Sequence, residues 1–247
     1  MKDNTLSSGS EVVGLLYSGG LDSAVVLGYL LAEGDIPFLI NIDYGATQNF
    51  QENIAMQNVL SWYGVRGYTI RNYEAVIPNG VMFAEQVSRG IPDKKFDEME
   101  ENTTIYAGRN AVLISMAAAI CISRNIRYLY AGMGAHDADD FPDCSEPFIR
   151  RMRGALAHGY ELAFRTPLLI PPISRADAIR GAYASRVPLH LTYSCYRGTA
   201  EHCGACPTCY GRQESFQAAG FIDPTPYRKP FVQLLPIELE EWDVSNW

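Results

Sequence analysis

The stretch VVGLLYSGGLDSAVVLGYLL, from Val12 to Leu31, decides the fold of this chain. Its first five residues are mostly apolar, and their length and branching predict a buried strand. Apolar residues recur at helical spacing after Ser23, which predicts a helix. A glycine-rich turn between a strand and a helix directs backbone N–H groups and the positive helix end at one point, and such a point binds phosphate. The alternative is an ordinary strand-to-helix turn, with glycine for its geometry and serine for capping.

The sequence of the turn itself, SGGLDS from Ser18 to Ser23, indicates which type of phosphate-binding loop it forms. It lacks Gly-Lys-Ser/Thr and Gly-x-Gly-x-x-Gly, which excludes a Walker loop and a dinucleotide fingerprint. It resembles the pyrophosphate loop (PP-loop) of ATP pyrophosphatases, which split ATP into AMP and pyrophosphate to activate a substrate. The paired glycines let an anion approach the backbone, and the two serines can add hydroxyl donors. We therefore predict a nucleotide site here.

The composition bounds the class of protein and its location. The chain has 247 residues, 47% of them hydrophobic and 19% charged, which suits one α/β domain with a small added module. Its net charge of −8 does not suit a general nucleic-acid binder. The sequence has no run of about 18 apolar residues, so no membrane span is expected. Residues 1–10 lack the regions of a signal peptide, so we expect a short flexible leader and a cytoplasmic protein.

Alternating strand and helix patterns predict a doubly wound parallel sheet, Rossmann-like in architecture, with helices on both faces. Further elements are expected as strands at 36–42, 65–70 and 127–131 and as helices at 49–63, 111–123, 145–159 and after Ser174.

Three units are expected along the chain. They are a PP-loop nucleotide-binding α/β domain at 11–190, a four-cysteine zinc module packed on it at 191–227, and a tail at 228–247. Within the first unit, residues 72–104 are expected to form a long loop that serves as a lid, a binding loop or an interface segment. An acidic run at 97–101 is interpreted as solvated surface.

Polar residues follow the predicted strands at their carboxyl ends, where parallel sheets bind ligands. Asp43 ends the second strand and is predicted near the nucleotide, with a turn or helix-capping aspartate as the alternative. Arg109 stands at a helix start, where a cation is normally unfavourable, so a phosphate or carboxylate partner is predicted and an ordinary salt bridge is the alternative. The loop 132–144 carries four aspartates that could bind Mg²⁺ or a polar base edge, and His136, which could equally be a plain loop histidine.

Near the C-terminus, four cysteines follow the spacing C-x7-C-x2-C-x2-C. Thiolates at this spacing match a tetrahedral Zn²⁺ site, and because one short segment supplies all four ligands the metal is expected to be structural. An iron–sulfur cluster and a redox dithiol are the alternatives, and His202 could in principle replace a ligand. Cys121 is expected in the core, whereas the position of Cys144 in the polar loop is less informative. The predicted ligands are Cys195, Cys203, Cys206 and Cys209.

Several motifs together resemble the 7-cyano-7-deazaguanine synthase (QueC) family over about residues 12–220. They are, in order, SGGLDS at 18–23, DYG at 43–45, GRN at 108–110, FPDC at 141–144 and the four-cysteine cluster. The resemblance implies a homodimeric, zinc-containing PP-loop ligase that uses ATP and Mg²⁺ to adenylate a small deazapurine substrate, 7-carboxy-7-deazaguanine, at its carboxylate. Ammonia then gives the amide, which is activated and dehydrated to the nitrile.

The resemblance also implies roles for individual residues. Those implied in catalysis are Ser18, Asp22, Ser23 and Arg109. Those implied in binding ATP are Tyr17, Ser18, Gly19, Gly20, Leu21, Asp22, Ser23, Asp43 and Gly108. Those implied in binding the deazapurine are Tyr44, Arg109, Asn110, Gly132, Asp137, Phe141 and Asp143.

The chain departs from the family pattern at several positions. Ala-Thr-Gln at 46–48 stands where family members usually have Gln-Arg-His, Ala135 and His136 replace a glutamate and a threonine, Phe141 replaces a tyrosine, and Ala107 replaces a proline. The residues implied in binding ATP and zinc are kept, so these departures leave the use of ATP unchanged and put in question whether the product is the nitrile. One alternative is a relative that stops at the amide, or joins the deazaguanine to an amine of a protein partner as in some anti-phage systems. Others are a PP-loop enzyme that thiolates tRNA and a zinc-bearing binding protein without catalysis.

Overall fold

The computed structural model of the chain describes residues 11–77, 91–99, 108–138 and 140–229. Several expectations fall partly or wholly outside the described residues: the leader at 1–10, much of the loop at 72–104, Ala107, and the tail from 230 onward. The described part contains the PP-loop, nearly all of the 132–144 loop and the four clustered cysteines. None of its helices combines the length and the apolar composition of a membrane-spanning segment.

The described residues form a five-stranded sheet in which every pairing is parallel. In chain order its strands are β1 Val12–Leu16, β2 Ile36–Asp43, β3 Arg71–Val76, β4 Tyr128–Ala131 and β5 Ala163–Arg165. Across the sheet the order is β3-β2-β1-β4-β5, so the winding reverses between β1 and β4. The carboxyl ends at such a reversal open onto the crevice in which doubly wound sheets bind their ligands.

Helices cover both faces of the sheet. Within the described residues they are α1 Leu21–Ala32, α2 Asn49–Gly64, α3 Arg109–Ser123, α4 Glu146–Tyr160, α5 Arg175–Ala184 and α6 Pro207–Ala219. Side chains of α1, α2, α5 and α6 share one buried cluster with β1, whereas α3 and α4 supply a second cluster on the opposite face. A Cβ on Gly14 of β1 would lie 2.4 Å from the sulfur of Cys121, so this cysteine is a core residue, as expected. The doubly wound fold is confirmed.

The predicted strand at 65–70 is wrong. Helix α2 ends at Gly64 and a turn follows, in which Val65 is 82% exposed. The strand β3 begins only at Arg71, so all but its first residue lies in the segment 72–104 that was expected to be a loop, and its side chains are mostly exposed. It is an edge strand held by backbone pairing, with Arg71 opposite Phe38 of β2. Such a strand needs no apolar pattern, and an apolar pattern is what sequence-based assignment detects.

Candidate functional site

The PP-loop connects β1 to α1 and gathers its hydroxyl groups at the start of that helix. Gly20 is the N-cap of α1, so no side chain caps the first turn and its amides are available to an anion. Ser23 Oγ donates to the Gly20 carbonyl at 3.0 Å and lies 3.3 Å from Ser18 Oγ. Gly19 has φ +79°, and a Cβ there would lie 2.4 Å from the carbonyl oxygen of Glu52. Glycine at this position therefore lets the loop pack directly on α2.

The PP-loop forms one wall of a cavity of about 750 Å³ at the carboxyl ends of β1, β2 and β4. This size is typical of small-molecule sites. The starts of α3 and α6, the segment 91–99 and the 132–144 loop form the other walls. The predicted site residues that line it are Tyr17, Ser18, Gly20, Leu21, Asp22, Ser23, Tyr44, Arg109, Asn110, Gly132, Asp137 and Phe141.

Four predicted site residues do not line this cavity. Gly19 is buried in the loop, and Gly108 is the left-handed N-cap of α3. Asp43 is exposed, and its Oδ1 accepts from a backbone N–H two residues further on at 2.9 Å, as in the alternative of a turn aspartate. Asp143 accepts from the backbone N–H of Asn110 at 2.9 Å and from its side-chain amide at 3.1 Å, which fastens the 132–144 loop to α3. Their roles in binding stay predictions.

An ion-pair cluster lies beside the PP-loop. Arg175, the first residue of α5, donates to Asp22 at 2.9 Å and to Asp137 at 3.4 Å. His136 Nε2 lies 3.6 Å from Asp22 and 3.3 Å from Asp137. Burial alone would raise the pKa of Asp22, but Arg175 and His136 hold that pKa well below its usual range. Asp22 is therefore a carboxylate at neutral pH.

This cluster has the chemistry to hold a cation and a phosphate. Asp22, His136 and Asp137 each offer a ligand atom, and these atoms lie within 4.8 Å of one another. Asp22 Oδ1, His136 Nδ1 and Arg175 Nε are buried without a hydrogen-bond partner. Buried polar atoms in proteins are normally paired, so these atoms indicate a ligand. The carboxylates suit a divalent cation, and the guanidinium suits a phosphate.

Arg175 was not among the residues predicted from the sequence, although a signal for it was present. Arg175 directly follows Ser174, which caps α5 as expected, so a cation occupies the first turn of that helix. The same unfavourable position relative to the helix dipole was the reason for singling out Arg109. Both arginines line the cavity described above.

The start of α3 forms a further part of the cavity wall. The Arg109 guanidinium lies 5.5 Å from the centre of the Phe141 ring, which is a cation–π distance. Burial alone would disfavour its charge, but the neighbouring Tyr44 and Tyr196 raise the pKa of Arg109 above its usual range.

Burial also raises the pKa of the Cys144 thiol to about 12, so this cysteine is a neutral thiol and a poor nucleophile.

The four predicted metal ligands converge in a buried module. All their sulfurs lie within 4.8 Å of one another, with 3.9 Å between Cys203 and Cys209 and 4.0 Å between Cys195 and Cys206. A tetrahedral ion bound by thiolates places its sulfurs about 3.8 Å apart, so the cluster fits a single metal ion. The Nε2 atom of His202 instead accepts from a backbone N–H at 2.9 Å, which leaves the four cysteines as the ligand set.

A buried polar network ties this cysteine module to the PP-loop. The backbone N–H of Tyr193 donates to the Gly19 carbonyl at 2.9 Å. Arg212 of α6 is 2% exposed, pairs with Asp223 at 3.1 Å and donates to Thr192 Oγ1 at 2.8 Å. When one partner of such a buried and hydrogen-bonded ion pair is removed, the other charge is left buried without compensation, and the fold is strongly destabilised. A disturbance of the module is therefore expected to reach the PP-loop.

A family model described as queuosine biosynthesis protein QueC matches residues 12–220. This chain belongs to the QueC family. It is 30% identical to the 7-cyano-7-deazaguanine synthase of Thermoplasma volcanium over 221 residues, covering 87% of this chain and 90% of the relative. It is 31% identical to the synthase of the same name from Methanothrix thermoacetophila over 222 residues, covering 86% and 97%. Among solved structures it is similar to the U34-tRNA thiolase NcsA from Methanococcus maripaludis, with 15% identity, a TM-score of 0.46, and coverage of 79% and 65%.

In this QueC family member, three of the departures from the family motifs line the cavity, namely Gln48, His136 and Phe141. None of the departures lies in the PP-loop or at the four cysteines. His136 belongs to the ion-pair cluster, and Phe141 lies under Arg109. The side-chain amide of Gln48 is buried and donates to the Tyr44 hydroxyl at 3.3 Å. These three altered positions therefore border the space in which a substrate and its acceptor would lie.

Gly132 is expected to be essential for the geometry of the QueC PP-loop. A Cβ there would lie 2.6 Å from the backbone carbon of Asp22 and from the nitrogen of Ser23, so Gly132→Ala must displace the first turn of α1. Because a shift of about 1 Å at a reacting site can cost about 100-fold, we expect ATP turnover to fall by that order. Gly181→Ala is the control, since its Cβ would meet no atom within 4 Å. Equal rates of ATP turnover for Gly132→Ala and Gly181→Ala would contradict this prediction.

Glu52 is a second residue that the sequence analysis missed, and its burial predicts a pH-dependent stability. Burial raises the pKa of its carboxyl to about 7. The contribution of such a group to the free energy of unfolding is full below its unfolded pKa and is lost as the pH rises through about 7. Glu52→Gln stays neutral, so we expect its melting temperature to match wild type at about pH 4 and exceed it at about pH 8. A difference that does not change with pH would refute this expectation, and the exposed Glu74→Gln is the control.

Proposed function

We propose that this protein is an ATP-dependent carbon–nitrogen ligase that adenylates the carboxylate of 7-carboxy-7-deazaguanine. The observation that carries the proposal is a single cavity lined both by the PP-loop and by the cationic Arg109. A carboxylate resists nucleophiles until it carries a leaving group, and AMP is such a group. The names of the two relatives, both 7-cyano-7-deazaguanine synthases, support the choice of a deazapurine.

At the phosphate end, the first-turn amides of α1 and the hydroxyls of Ser18 and Ser23 bind the departing pyrophosphate. The Arg175 guanidinium adds a charged donor beside them. Mg²⁺, when bound, neutralises phosphate charge, and Asp22 and Asp137 would hold it. These donors are fixed by the fold before the reaction, so they stabilise the developing charge without rearrangement.

At the substrate end, Arg109 attracts and orients the carboxylate that is to be adenylated. The ring of Phe141, against which this guanidinium lies, offers an apolar face to the planar deazapurine. Asn110 is held by Asp143 and thereby fixes the wall of the cavity next to Arg109. Zinc is the metal we assign to the cysteine module, where four protein ligands leave no position for substrate and the role is structural.

The departures at 46–48 favour a second candidate for the product. The family's usual arginine and histidine are replaced by Thr47 and Gln48. Gln48 is engaged with Tyr44, and the carbonyl of Thr47 packs on Gly198 of the cysteine module. These residues hold the structure together and supply no charged group for activating an amide. The candidate is therefore an enzyme that stops at the amide, or transfers the deazaguanine to an amine of a protein partner.

The test is to incubate the protein with ATP, Mg²⁺ and 7-carboxy-7-deazaguanine, with and without ammonia. Release of AMP and pyrophosphate that depends on the carboxylate is the expected result. If neither is released with any nucleophile, the ligase assignment is wrong. Mass spectrometry of the products separates the nitrile from the amide and from a protein adduct, and so decides between the two candidates.

A further inference from the structure

The proposed reaction needs a proton acceptor that the residues assigned so far do not provide. When an amine attacks the acyl adenylate, a carbon–nitrogen bond forms and the carbon–oxygen bond to AMP breaks. The nitrogen must lose a proton in the same process, because otherwise the amine leaves again. A base acts best when its pKa lies near the working pH and when it faces the site of attack.

Glu52 is placed to meet the geometric requirement. It lies in the first turn of α2 and its side chain lines the cavity, half-buried. Its backbone carbonyl packs on Gly19, so its position is fixed relative to the PP-loop. One carboxyl oxygen, Oε2, accepts from the side-chain amide of Asn49 at 2.9 Å. This bond orients the carboxyl group and leaves Oε1 to serve as the acceptor.

The surroundings of Glu52 also suit a base. Burial is the main reason that its pKa is raised to about 7. The charged groups that face it are Arg109 from α3, which lowers the pKa, and Asp43 from the end of β2, which raises it. Arg109 is also the residue that would hold the substrate carboxylate, so Glu52 lies between the PP-loop, on which its backbone packs, and the charged group that would orient the reacting carboxylate.

We propose that Glu52 is the catalytic base that accepts the proton of the amine nucleophile as it attacks the acyl adenylate. The role rests on the proposed function, because it requires an adenylated carboxylate. The amine nitrogen bonds to the acyl carbon, AMP departs with the electron pair of the broken bond, and the proton passes to Glu52 Oε1. The carboxylic acid so formed returns the proton to solvent after the amide leaves.

Other titratable groups of the cavity are less suited to this role. Asp22 and Asp137 are paired with Arg175 at the phosphate end. Burial raises the pKa of Tyr196 to about 12, so its hydroxyl stays protonated near neutral pH. Glu214 is paired with Lys95, and Asp97 and Asp140 also line the cavity. His136 lies near both Asp22 and Asp137 and is the rival with a neutral base form. His136→Gln is therefore compared directly with the Glu52 variants.

The experiment separates the two half-reactions. Exchange of labelled pyrophosphate into ATP, dependent on 7-carboxy-7-deazaguanine, measures adenylation alone. Amide formation from ammonia measures the complete reaction. For Glu52→Gln we expect exchange within about threefold of wild type and amide formation lower by about 100-fold. At a constant concentration of free ammonia, amide formation by wild type rises with pH through about 7, and in Glu52→Gln this limb is lost. Glu74→Gln, on the exposed strand β3, should match wild type in both assays.

Several results would overturn the role of Glu52. Loss of exchange together with amide formation in Glu52→Gln would make it part of the nucleotide site. Retention of amide formation, or a pH limb that disappears in His136→Gln instead, would remove it as the base. Glu52→Asp keeps a carboxylate and should restore part of the amide formation, which a purely structural role would not predict. Absence of exchange in wild type would overturn the proposed function first, and the role of Glu52 with it.

Discussion

Cys206→Ser is expected to release the metal ion from the cysteine module and to lower the melting temperature by about 10 °C or more. Cys206 is fully buried, is the N-cap of α6, and lies 4.0 Å from the sulfur of Cys195. Loss of one thiolate leaves three buried ligands that bind an ion poorly. A structural metal contributes several kcal/mol to folding, and about 1 kcal/mol corresponds to about 2–4 °C in a chain of this size.

The effect of Cys206→Ser is expected to extend beyond the module. Helix α6 contributes Phe216 to the cluster that packs on β1, and Tyr193 is bonded to Gly19 of the PP-loop. ATP affinity should therefore fall together with the metal content. Cys144→Ser is the matched control for the metal content, because Cys144 lies outside the module.

Metal analysis and calorimetry on the same samples check this prediction. Wild type and Cys144→Ser should carry one equivalent of metal, and Cys206→Ser close to none. An unchanged metal content and melting temperature in Cys206→Ser would show that the module holds no structural ion. Iron and acid-labile sulfide in wild type would replace the zinc assignment by a cluster.

Local patterns were sufficient to predict much of this fold. The PP-loop, its flanking strand and its helix are defined by residues adjacent in sequence, and their positions are confirmed. The cysteines were also predictable, because three of the four lie in consecutive C-x-x-C knuckles. The edge strand β3 was not, since its pairing with β2 uses backbone groups and leaves its side chains exposed.

The residues of the site that were missed are those whose partners are far away in sequence. Arg175 contacts Asp22, which lies 153 positions away in the sequence, and no local sequence pattern predicts that contact. Glu52 looks like an ordinary surface glutamate of a helix, and only packing against Gly19 shows that it is part of the cavity wall. For Asp43 the local pattern was misleading. Its place at the end of a strand predicted a position near the nucleotide, but its carboxylate accepts a hydrogen bond from the backbone of its own turn.

Arg175→Met is expected to reduce ATP turnover by at least about 100-fold without unfolding the protein, as is usual when one preorganised charged donor is removed. In the wild-type protein, Arg175 lies 2.9 Å from Asp22 and 3.4 Å from Asp137. In the variant, the two carboxylates face each other without this guanidinium. The pair would repel the phosphates, and the pKa of Asp22 would rise from its present low value. The acid limb of the pH–rate profile should then move to higher pH.

Two further variants make this prediction specific to the geometry of Arg175. Arg175→Lys restores the charge but not the planar fork, so turnover should recover only in part. Arg180→Met removes an arginine from the same helix, where it pairs with Asp177 on the exposed surface, and should retain turnover. Steady-state rates and melting temperatures are compared for all three. If Arg175→Met behaves like Arg180→Met, the ion-pair cluster has no part in ATP use, and the phosphate site reduces to the PP-loop alone.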